Sequence, residues 1–381
     1  LGIDGAVDGG AGSVTIRARG SMTLGVTGSL SSASTGDAIT LASDGPFRNL
    51  AGASALAAAN GRWLVYTQAA GNPASSDPAN VFGGLAGRSY YGAAYDFETG
   101  GFATAPGAGN RFVYGYRPML TVLPNGLTVT YDGQVPVLSA GITGLANGDS
   151  AADAWSGSAS LSGAGRNAGT YTIAAGLGSL ASDMNYDFAF GTGMLRIDPR
   201  AITAALTANG KTYDGTTAAS GTLTLNGLVE GDRVGVSGSL AFADRNAGTG
   251  KTVTASGITL SGSDAGNYTV NASATALADI LARAITATLA ANGKTYDGTT
   301  TATGALSLNG LVEGDRVGVS GSLAFADRSA GTGKAVTASG IALSGADAGN
   351  YTVNATATAV ADILARAVTA VLAANGKIPR Q

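Results

Sequence analysis

The segment AITAALTANGKTYDGTT at residues 201–217 returns as AITATLAANGKTYDGTT at residues 284–300. The two copies extend over residues 201–283 and 284–366, and only 12 of their 83 positions differ. Nearly all the exchanges involve small residues, and a single one, Leu277 against Val360, touches a larger aliphatic side chain. The side chains large enough to fill a core are therefore the same in both copies, as expected after a recent duplication.

Within each copy, apolar and small polar residues alternate with a period of two. Ala201–Leu206 and Gly221–Leu225 show this pattern, and pairs such as Asn209-Gly210, Asp214-Gly215 and Asn226-Gly227 separate the runs. Such alternation indicates half-buried β-strands, and Gly after Asn or Asp favours tight turns. The copies therefore predict an all-β fold, a sandwich or barrel of antiparallel strands.

A short motif near the end of each copy refines this fold. Asp264-Ala-Gly-Asn-Tyr268 and Asp347-Ala-Gly-Asn-Tyr351 resemble the tyrosine corner of immunoglobulin-like sandwiches, where the hydroxyl bonds back to nearby backbone. Val270 and Val353 stand where antibody domains have a cysteine, and an apolar side chain would serve there without a disulfide. The next segment, Ala274–Arg283, is compatible with a short helix or with the last strand.

Further copies flank these two. Residues 127–133 read LTVTYDG, 82 positions before the corresponding tyrosine of the next copy, and Arg166–Thr170 repeats the sequence of Arg245–Thr249. A last copy begins at Ala367 and leaves the pattern at Ile378, where the others continue with Thr-Tyr-Asp-Gly. We therefore expect the parent protein to be longer.

No linker separates the copies. Ile280–Thr286 runs from one copy into the next without Pro, Ser or Gly, and the first copy has only Tyr213, Phe242 and Tyr268 as aromatic side chains. Units with such thin cores depend on their neighbours, as in other linear repeat arrays. The repeats therefore predict a stiff rod.

The first 120 residues have a different character. Short alternating runs joined by Gly-rich turns, such as Ser13–Ile16, Ser21–Leu24 and Asp37–Leu41, are typical of the coils of a parallel β-helix. We expect the aromatic side chains that follow to form a cap over its apolar end, and the alternative is a platform that binds sugar. These aromatic residues are Trp63, Tyr66, Phe82, Tyr90, Tyr91, Tyr95, Phe97, Phe102, Phe112, Tyr114 and Tyr116.

Composition excludes several functional classes. The 381 residues contain no Cys and no His, which excludes disulfide scaffolds, Cys-based zinc sites and Ser-His-Asp catalysis. The net charge is −3 and there is no basic stripe, so we expect no nucleic-acid partner. No apolar run reaches the length of about 18 residues that a membrane crossing needs. We expect no enzymatic activity, no catalytic residues, no cofactor and no metal.

Two further sets of residues suggest ligand binding or catalysis. Gly248-Thr-Gly-Lys-Thr252 resembles a phosphate-binding loop, but Arg245 replaces the first glycine of that motif and Ala335 replaces its hydroxyl in the second copy. We interpret it as a Gly-rich hairpin. Carboxylates at turns suggest calcium ligands or a glycosidase pair, but their spacing fits no calcium loop and an active site is not expected in duplicate. We interpret them as solvated turns with weak ion pairs: Glu230, Asp232, Asp244, Asp264, Glu313, Asp315, Asp327 and Asp347.

Four triplets fit the N-glycosylation pattern, beginning at Asn267, Asn271, Asn350 and Asn354. A chain this rich in Asn, Ser and Thr supplies such triplets readily by chance.

Taken together, these motifs resemble the C-terminal part of filamentous-haemagglutinin-like adhesins, which are secreted by the two-partner route. Gly61–Gln68 and Asn110–Pro118 are similar to segments that close the β-helix in that family. Lys211–Thr217 and Lys294–Thr300 are similar to its YDG repeats, and the copy around Tyr131 is similar to its MBG domain. The resemblance implies export through an outer-membrane secretion partner and display at the bacterial cell surface.

We therefore expect the C-terminal coils of a β-helix with a cap, followed by tandem Ig-like sandwiches. The expected function is the stalk of a secreted adhesin whose partner is a receptor or glycan on a host or neighbouring cell. The alternatives are a lectin-like module and, less favoured, a β-helical polysaccharide-degrading enzyme. The expected segments are the β-helix end at 1–60, the aromatic-rich cap at 61–120, the MBG-like domain at 121–200, YDG repeats at 201–283 and 284–366, and the truncated start of another repeat at 367–381.

Overall fold

A computed structural model of the chain describes residues 1–67, 80–101, 107–373 and 376. These residues are almost entirely strands and turns, which confirms the predicted all-β class. They divide into two compact units, Leu1–Pro199 and Arg200–Gln381. Among the described residues, no helix combines the length and the apolar character needed to cross a membrane. Some residues named above lie outside the described ones: Gln68, Phe102 and Ile378.

The first unit begins with parallel strands that stack as the coils of a β-helix. The strands are β1 (Gly2–Ile3), β2 (Ala6–Asp8), β3 (Val14–Ala18), β4 (Met22–Leu24), β5 (Ser29–Ser43), β6 (Phe47–Asn49), β7 (Leu56–Thr67), β8 (Arg88–Tyr91) and β9 (Arg111–Tyr114). They form two sheets with the strand orders β1-β4-β6 and β2-β5-β7-β9-β8, with β3 added beside β5. Leu41 of one coil lies beside Val65 of the next, and both side chains are fully buried.

The coils do not stop at residue 60, where the sequence placed the end of the β-helix. β7 continues to Thr67, and its last part pairs in parallel with β9, which in turn pairs with β8. Val65 of β7 lies beside Phe112 of β9, and both side chains are buried in the core cluster that also holds Leu41, so the inward-facing apolar positions continue from one coil to the next. The aromatic segment is therefore built on continued coils, and no structural break falls at residue 60.

Residues 119–198 form two further sheets in the first unit. Their strands are β10 (Met119–Pro124), β11 (Leu127–Thr130), β12 (Ala140–Thr143), β13 (Ser160–Ser162), β14 (Gly169–Gly176), β15 (Asp187–Phe190) and β16 (Thr192–Asp198). The strand orders are β12-β10-β15 and β11-β16-β14-β13. A four-residue helix, α1 (Ala151–Ala154), lies between β12 and β13 in the chain.

The second unit contains the two near-identical copies, each with the same strand order as residues 119–198. The first copy has β17 (Arg200–Asn209), β18 (Lys211–Thr212), β19 (Ser220–Asn226), β20 (Gly235–Phe242), β21 (Gly248–Ser261), β22 (Tyr268–Val270) and β23 (Ser273–Leu281). The second has β24 (Arg283–Asn292), β25 (Lys294–Thr295), β26 (Thr303–Asn309), β27 (Gly318–Phe325), β28 (Gly331–Ser344), β29 (Tyr351–Val353) and β30 (Thr356–Leu364). Their sheets are β19-β17-β22 with β18-β23-β21-β20, and β26-β24-β29 with β25-β30-β28-β27. The segment after the corner tyrosine, left open between helix and strand, is thus a strand.

Each copy departs from the predicted all-antiparallel sandwich at two pairs of strands. β17 pairs in parallel with β22, and β18 pairs in parallel with β23. The reason is that the chain changes sheets at Gly210, so β18 continues beside the last strand in the same direction. The crossing is tight, because a Cβ on Gly210 would lie 3.0 Å from the carbonyl oxygen of Asp279.

Each copy has two distinct ends because its long strands run from one to the other. β17 starts at Arg200 beside Tyr268 and ends at Asn209 opposite Ser220. We call the end that carries Tyr268, or Tyr351 in the second copy, the near end. The opposite end is the far end, and at about 3.3 Å per strand residue it lies roughly 30 Å away.

Candidate functional site

The Tyr-Asp-Gly turn at the far end of each copy is tied together by a lysine. Lys211 Nζ donates to Asp214 Oδ1 and to the carbonyl oxygen of Thr216, both at 2.8 Å. Asp214 Oδ1 also accepts from the backbone N–H of Thr216 at 2.9 Å, and Gly215 adopts a left-handed φ of 78°. Burial raises the pKa of Asp214, but these donors outweigh it and bring the pKa to about 2. The second copy repeats the contacts, so the motif is a structural turn.

We expect Lys211→Met to lower the free energy of unfolding of the second unit by about 1–3 kcal/mol, the usual worth of a hydrogen bond to a charged group. Lys251→Met is the matched control, because the Lys251–Asp244 pair is as exposed as the Lys211–Asp214 pair but lacks the additional bonds that Lys211 Nζ donates to Thr216. Exposed pairs contribute about 0–1 kcal/mol. Urea unfolding followed by far-ultraviolet circular dichroism measures both losses, and equal losses would contradict the structural role of the turn.

The far end of the first copy is joined to the near end of the second by a buried carboxylate. Tyr213 is fully buried, and its ring packs edge-on against Tyr351 with centroids 5.4 Å apart. Its hydroxyl donates to Asp315 Oδ2 at 2.9 Å, and the Tyr351 hydroxyl donates to the same oxygen. The Asp315 side chain is 0% exposed. One carboxylate therefore binds two tyrosines, one from each copy.

Polar contacts surround this Tyr–Asp–Tyr group. Arg245 Nη2 lies 3.3 Å from Asp347 Oδ1 and 3.7 Å from Asp315 Oδ1. The backbone N–H of Ala247 donates to Asn350 Oδ1 at 2.8 Å. We call this set of contacts between the two copies the joint. Both hydrogen bonds to the buried Asp315 carboxylate are accepted by Oδ2, while Oδ1 accepts none and has Arg245 as its ionic neighbour.

Because of the joint, we expect the second unit to lose stability as the pH becomes alkaline. Burial, with a smaller effect of Asp315, raises the pKa of Tyr213 from 10.0 to about 12. Since the folded state holds this proton more tightly than the unfolded chain, the contribution is complete below pH 10.0 and is lost as the pH rises through about 12. We expect the unfolding midpoint to fall over this range and Tyr213→Phe to lessen the fall. Thermal unfolding followed by circular dichroism tests this, and the same fall in both proteins would contradict it.

The corner tyrosine forms the predicted bond to backbone, although its partner differs from that of an immunoglobulin corner. The Tyr268 hydroxyl accepts from the backbone N–H of Val229 at 2.9 Å, 39 residues upstream, and donates to Asp232. The Tyr268 hydroxyl therefore links two distant segments at the near end of the sandwich, whereas the bond of an immunoglobulin corner stays within nearby residues. In residues 119–198, Tyr186 donates to Asp149 in the same way, at 2.7 Å.

Asp149 forms a second Tyr–Asp–Tyr group, inside the first unit. Besides Tyr186, it accepts from the hydroxyls of Tyr91 and Ser89, both at 2.6 Å. The Asn147 side chain donates to the Tyr91 hydroxyl at 3.1 Å. Tyr91 lies on β8, so a carboxylate of residues 119–198 binds a tyrosine of the preceding aromatic segment. The same arrangement of side chains thus connects successive parts of the chain at two places.

The described aromatic side chains of residues 61–120 lie in the core. Trp63 is 2% exposed and packs against Phe112 with ring centroids 5.0 Å apart. Tyr66, Tyr91, Tyr95 and Tyr114 are also buried, and the others pack against the same clusters: Phe82, Tyr90, Phe97 and Tyr116. Their burial favours the cap interpretation over an exposed aromatic platform for sugar.

The interpretation of the turn carboxylates as solvated is wrong for Asp315, which the joint buries. It holds for Asp244 and Asp327, which are about half exposed and paired with lysines. Glu230 and Glu313 are exposed. Within the described residues, no group of three or more acidic side chains is arranged to hold a metal ion.

The structure favours neither phosphate binding at the Gly248–Thr252 motif nor glycosylation at the four Asn triplets. Gly248–Thr252 begins strand β21, whereas a phosphate-binding loop precedes a helix. Asn267 and Asn350 are 4% exposed. Asn271 Oδ1 accepts from the backbone N–H of Ala204 at 2.8 Å, and Asn354 bonds to Ala287 in the same way. The four Asn side chains are therefore buried or hydrogen-bonded to backbone within the fold.

A groove of 370 Å³ lies between the outer strands β12 and β13 of residues 119–198. Trp155, Ile142 and Leu161 contribute to its lining, which contains no charged side chain. It therefore offers apolar contact without groups for acid–base chemistry.

Stacked sandwiches that follow one another without a linker and share buried contacts define a linear repeat protein. Two family models match the chain: the YDG domain at residues 198–276 and 282–359, and the MBG domain (YGX type) at residues 120–196. YDG and MBG domains are therefore present, as in an MBG/YDG repeat protein. Neither is a known enzymatic family. No curated protein matches the chain.

Proposed function

We propose that this chain is the structural stalk of a secreted bacterial surface adhesin, in which stacked repeats hold a receptor-binding part away from the cell. The joint is the observation that carries the proposal. Only Ala282 separates β23 of the first YDG repeat from β24 of the second. Tyr213 of the first repeat is buried against Tyr351 of the second. A joint without a linker resists bending, so each added repeat extends the array.

The adhesin part of the proposal is supported by the order of the domains. Parallel coils, an MBG domain and YDG repeats follow one another as in the filamentous-haemagglutinin-like adhesins that the sequence resembles. Such proteins reach the cell surface through an outer-membrane secretion partner and bind a receptor or glycan on another cell. A chain without cysteine suits this role, because packing and repetition stabilise it outside the cell without disulfides.

The lectin-like alternative ranks below the stalk because the described aromatic side chains that suggested a sugar platform are buried. The turn carboxylates that suggested a glycosidase pair do not favour the polysaccharide-degrading alternative, since Asp315 is engaged by two tyrosines and Asp244 and Asp327 by lysines. Both alternatives predict measurable binding or turnover of glycans by the 381-residue chain.

The proposal is tested in the cells that make the protein. Antibodies against residues 200–366 should label intact cells, and in-frame removal of residues 201–366 should reduce attachment without lowering the surface level. Replacing these residues by a Gly/Ser linker of equal length should fail to restore attachment, because a flexible chain has a much shorter average span than a rod. Labelling that requires lysis, or full attachment with the linker, would overturn the proposal.

A further inference from the structure

The groove between β12 and β13 lies where each YDG repeat has a filled core. In the strand pairings, Ala140 and Gly157 occupy the positions of Leu223 and Val236 in the first repeat. Leu223 and Val236 pack against one apolar cluster of that repeat, and the second repeat has the same leucine and valine 83 residues later. Since Ala140 and Gly157 both line the groove, its 370 Å³ open where two large side chains are missing.

Each YDG repeat also joins the two sheet edges at this position. In the first repeat, the Phe242 N–H donates to the carbonyl oxygen of Thr217 at 2.8 Å, and the Ala219 N–H donates to that of Leu240 at 3.3 Å. The second repeat makes the same two bonds. In residues 119–198, all of which the structure describes, no backbone hydrogen bond joins β13 to the segment that precedes β12. The edge that the repeats close is therefore open here.

The backbone groups of Leu161 on β13 face this open edge. Leu161 lies opposite Ala175 of β14, and the Ala175 N–H donates away from β13, to the carbonyl oxygen of Gly191 at 3.1 Å. Because bonded and non-bonded pairs alternate along antiparallel strands, the N–H and C=O of Leu161 point outward. Leu161 also corresponds to Leu240, whose carbonyl oxygen accepts the closing bond in the first repeat. Since β13 is the outermost strand of its sheet, another strand can pair with this edge.

The segment that precedes β12 adds exposed apolar side chains next to the groove. Val135 is 57% exposed and Val137 is 94% exposed. Pro136 between them has no N–H to donate to a neighbouring strand. Contiguous exposed apolar side chains beside an apolar groove are typical of a surface that binds another protein. With no charged side chain in its lining, the groove suits a neutral, apolar segment.

We propose that the groove binds an extended, neutral peptide segment of a partner protein, which pairs with the edge of β13 and places Leu or Val side chains in the groove. The YDG repeats define this occupant, because an extended segment closes the same edge there and a leucine and a valine fill the same space. In such strand addition, backbone bonds supply affinity and alternate side chains supply specificity. Peptide binding and the stalk are independent, because the groove lies in the first unit and the joint in the second.

Fluorescence of Trp155 measures peptide binding to the full 381-residue chain, because Trp155 lines the groove whereas Trp63 is buried in the core. The probe is the blocked peptide acetyl-Ser-Thr-Leu-Thr-Val-Thr-Ser-amide, which is neutral, rich in strand-forming residues and free of aromatic side chains. We expect a saturable change, and a peptide with Ser in place of Leu and Val should bind at least about tenfold more weakly, because it buries less apolar surface. No saturable change, or equal binding of the two peptides, would overturn the proposal.

Two N-methylated versions of the peptide test the strand pairing. One carries methyl groups on the Leu and Val nitrogens, and the other carries them on the nitrogens of the three Thr residues. Since alternate N–H groups of a strand point to opposite sides, only one of the two sets can pair with β13. One version should therefore bind about tenfold more weakly than the other, because it loses hydrogen bonds to the edge. Equal affinities would mean that no strand is added and would contradict the proposal.

A pair of variants locates the binding in the groove. Ala140→Leu restores the leucine of the YDG repeats, so it should fill the groove and weaken binding about tenfold or more. Thr143→Leu is the matched control, because Thr143 is exposed and lies on the opposite face of the same strand. We expect it to change the affinity less than about twofold, within the usual effect of a surface substitution. Equal affinities of the two variants would place the peptide elsewhere and overturn the proposal.

Self-association is the remaining outcome. A Trp155 signal that changes with protein concentration in the absence of peptide, and that Ala140→Leu abolishes, would also overturn the proposal, because the occupant would then be a second copy of this chain. A signal that is independent of protein concentration and saturates with the peptide is the result that we expect.

Discussion

Replacing Tyr213 by alanine is expected to remove about 3–5 kcal/mol from the free energy of unfolding of the second unit, the range for a buried aromatic side chain. The loss includes the packing against Tyr351 and the hydrogen bond to the buried Asp315. Tyr296→Ala is the matched control, because Tyr296 has the same neighbours in sequence but is 37% exposed. We expect it to cost less than about 1.5 kcal/mol, since little of its contact is lost.

Urea unfolding followed by far-ultraviolet circular dichroism, with hydrogen exchange of β17 to β30, measures both variants. Both tryptophans, Trp63 and Trp155, lie in the first unit, so their fluorescence follows that unit without reporting the second directly. Equal losses for the two tyrosine variants would mean that Tyr213 serves only its own repeat, which would contradict the joint.

The second large effect concerns the aromatic core of the first unit. We expect Trp63→Ala to destabilise that unit by about 3–5 kcal/mol, because Trp63 is buried in the cluster that continues into residues 119–198. A Cβ on Gly87 would lie 2.5 Å from the Trp63 ring, which shows how closely the chain covers it. Trp63→Phe should cost less, since it keeps an aromatic ring in the cluster.

Fluorescence of the remaining Trp155 and hydrogen exchange of β5, β7 and β9 measure this loss. A glycan array on the same proteins separates the cap from a sugar platform. The cap interpretation expects no glycan binding that depends on Trp63. A Trp63→Ala protein with unchanged stability and lost glycan binding would favour the lectin-like alternative.

Local patterns in the sequence predict much of the fold for physical reasons. A period of two places alternate side chains on one face of a strand, and pairs such as Asp214-Gly215 demand a turn. Both signals act within a few residues, so the all-β class and the turns of each repeat follow from them. The parallel pairing of β18 with β23 does not, because it depends on where the chain changes sheets at Gly210.

The joint could not be predicted in the same way, since Tyr213 and Asp315 are 102 residues apart in the chain. The carboxylates were interpreted as solvated because turns usually lie at the surface. Comparison of the copies does not single out Asp315 either, because all four turn carboxylates of the first copy, including the half-exposed Asp244, recur unchanged in the second.

The rigidity of the joint is the central claim, and a distance between spin labels tests it most directly. The chain contains no cysteine, so Ser239→Cys with Ser322→Cys places labels only at two equivalent, exposed positions, one in each YDG repeat. We expect one narrow distance distribution centred at roughly 30–35 Å, about the length of a repeat, and a broad one after Tyr213→Ala. A distribution that is already broad in the unchanged chain would show that the repeats move independently and would contradict the stalk.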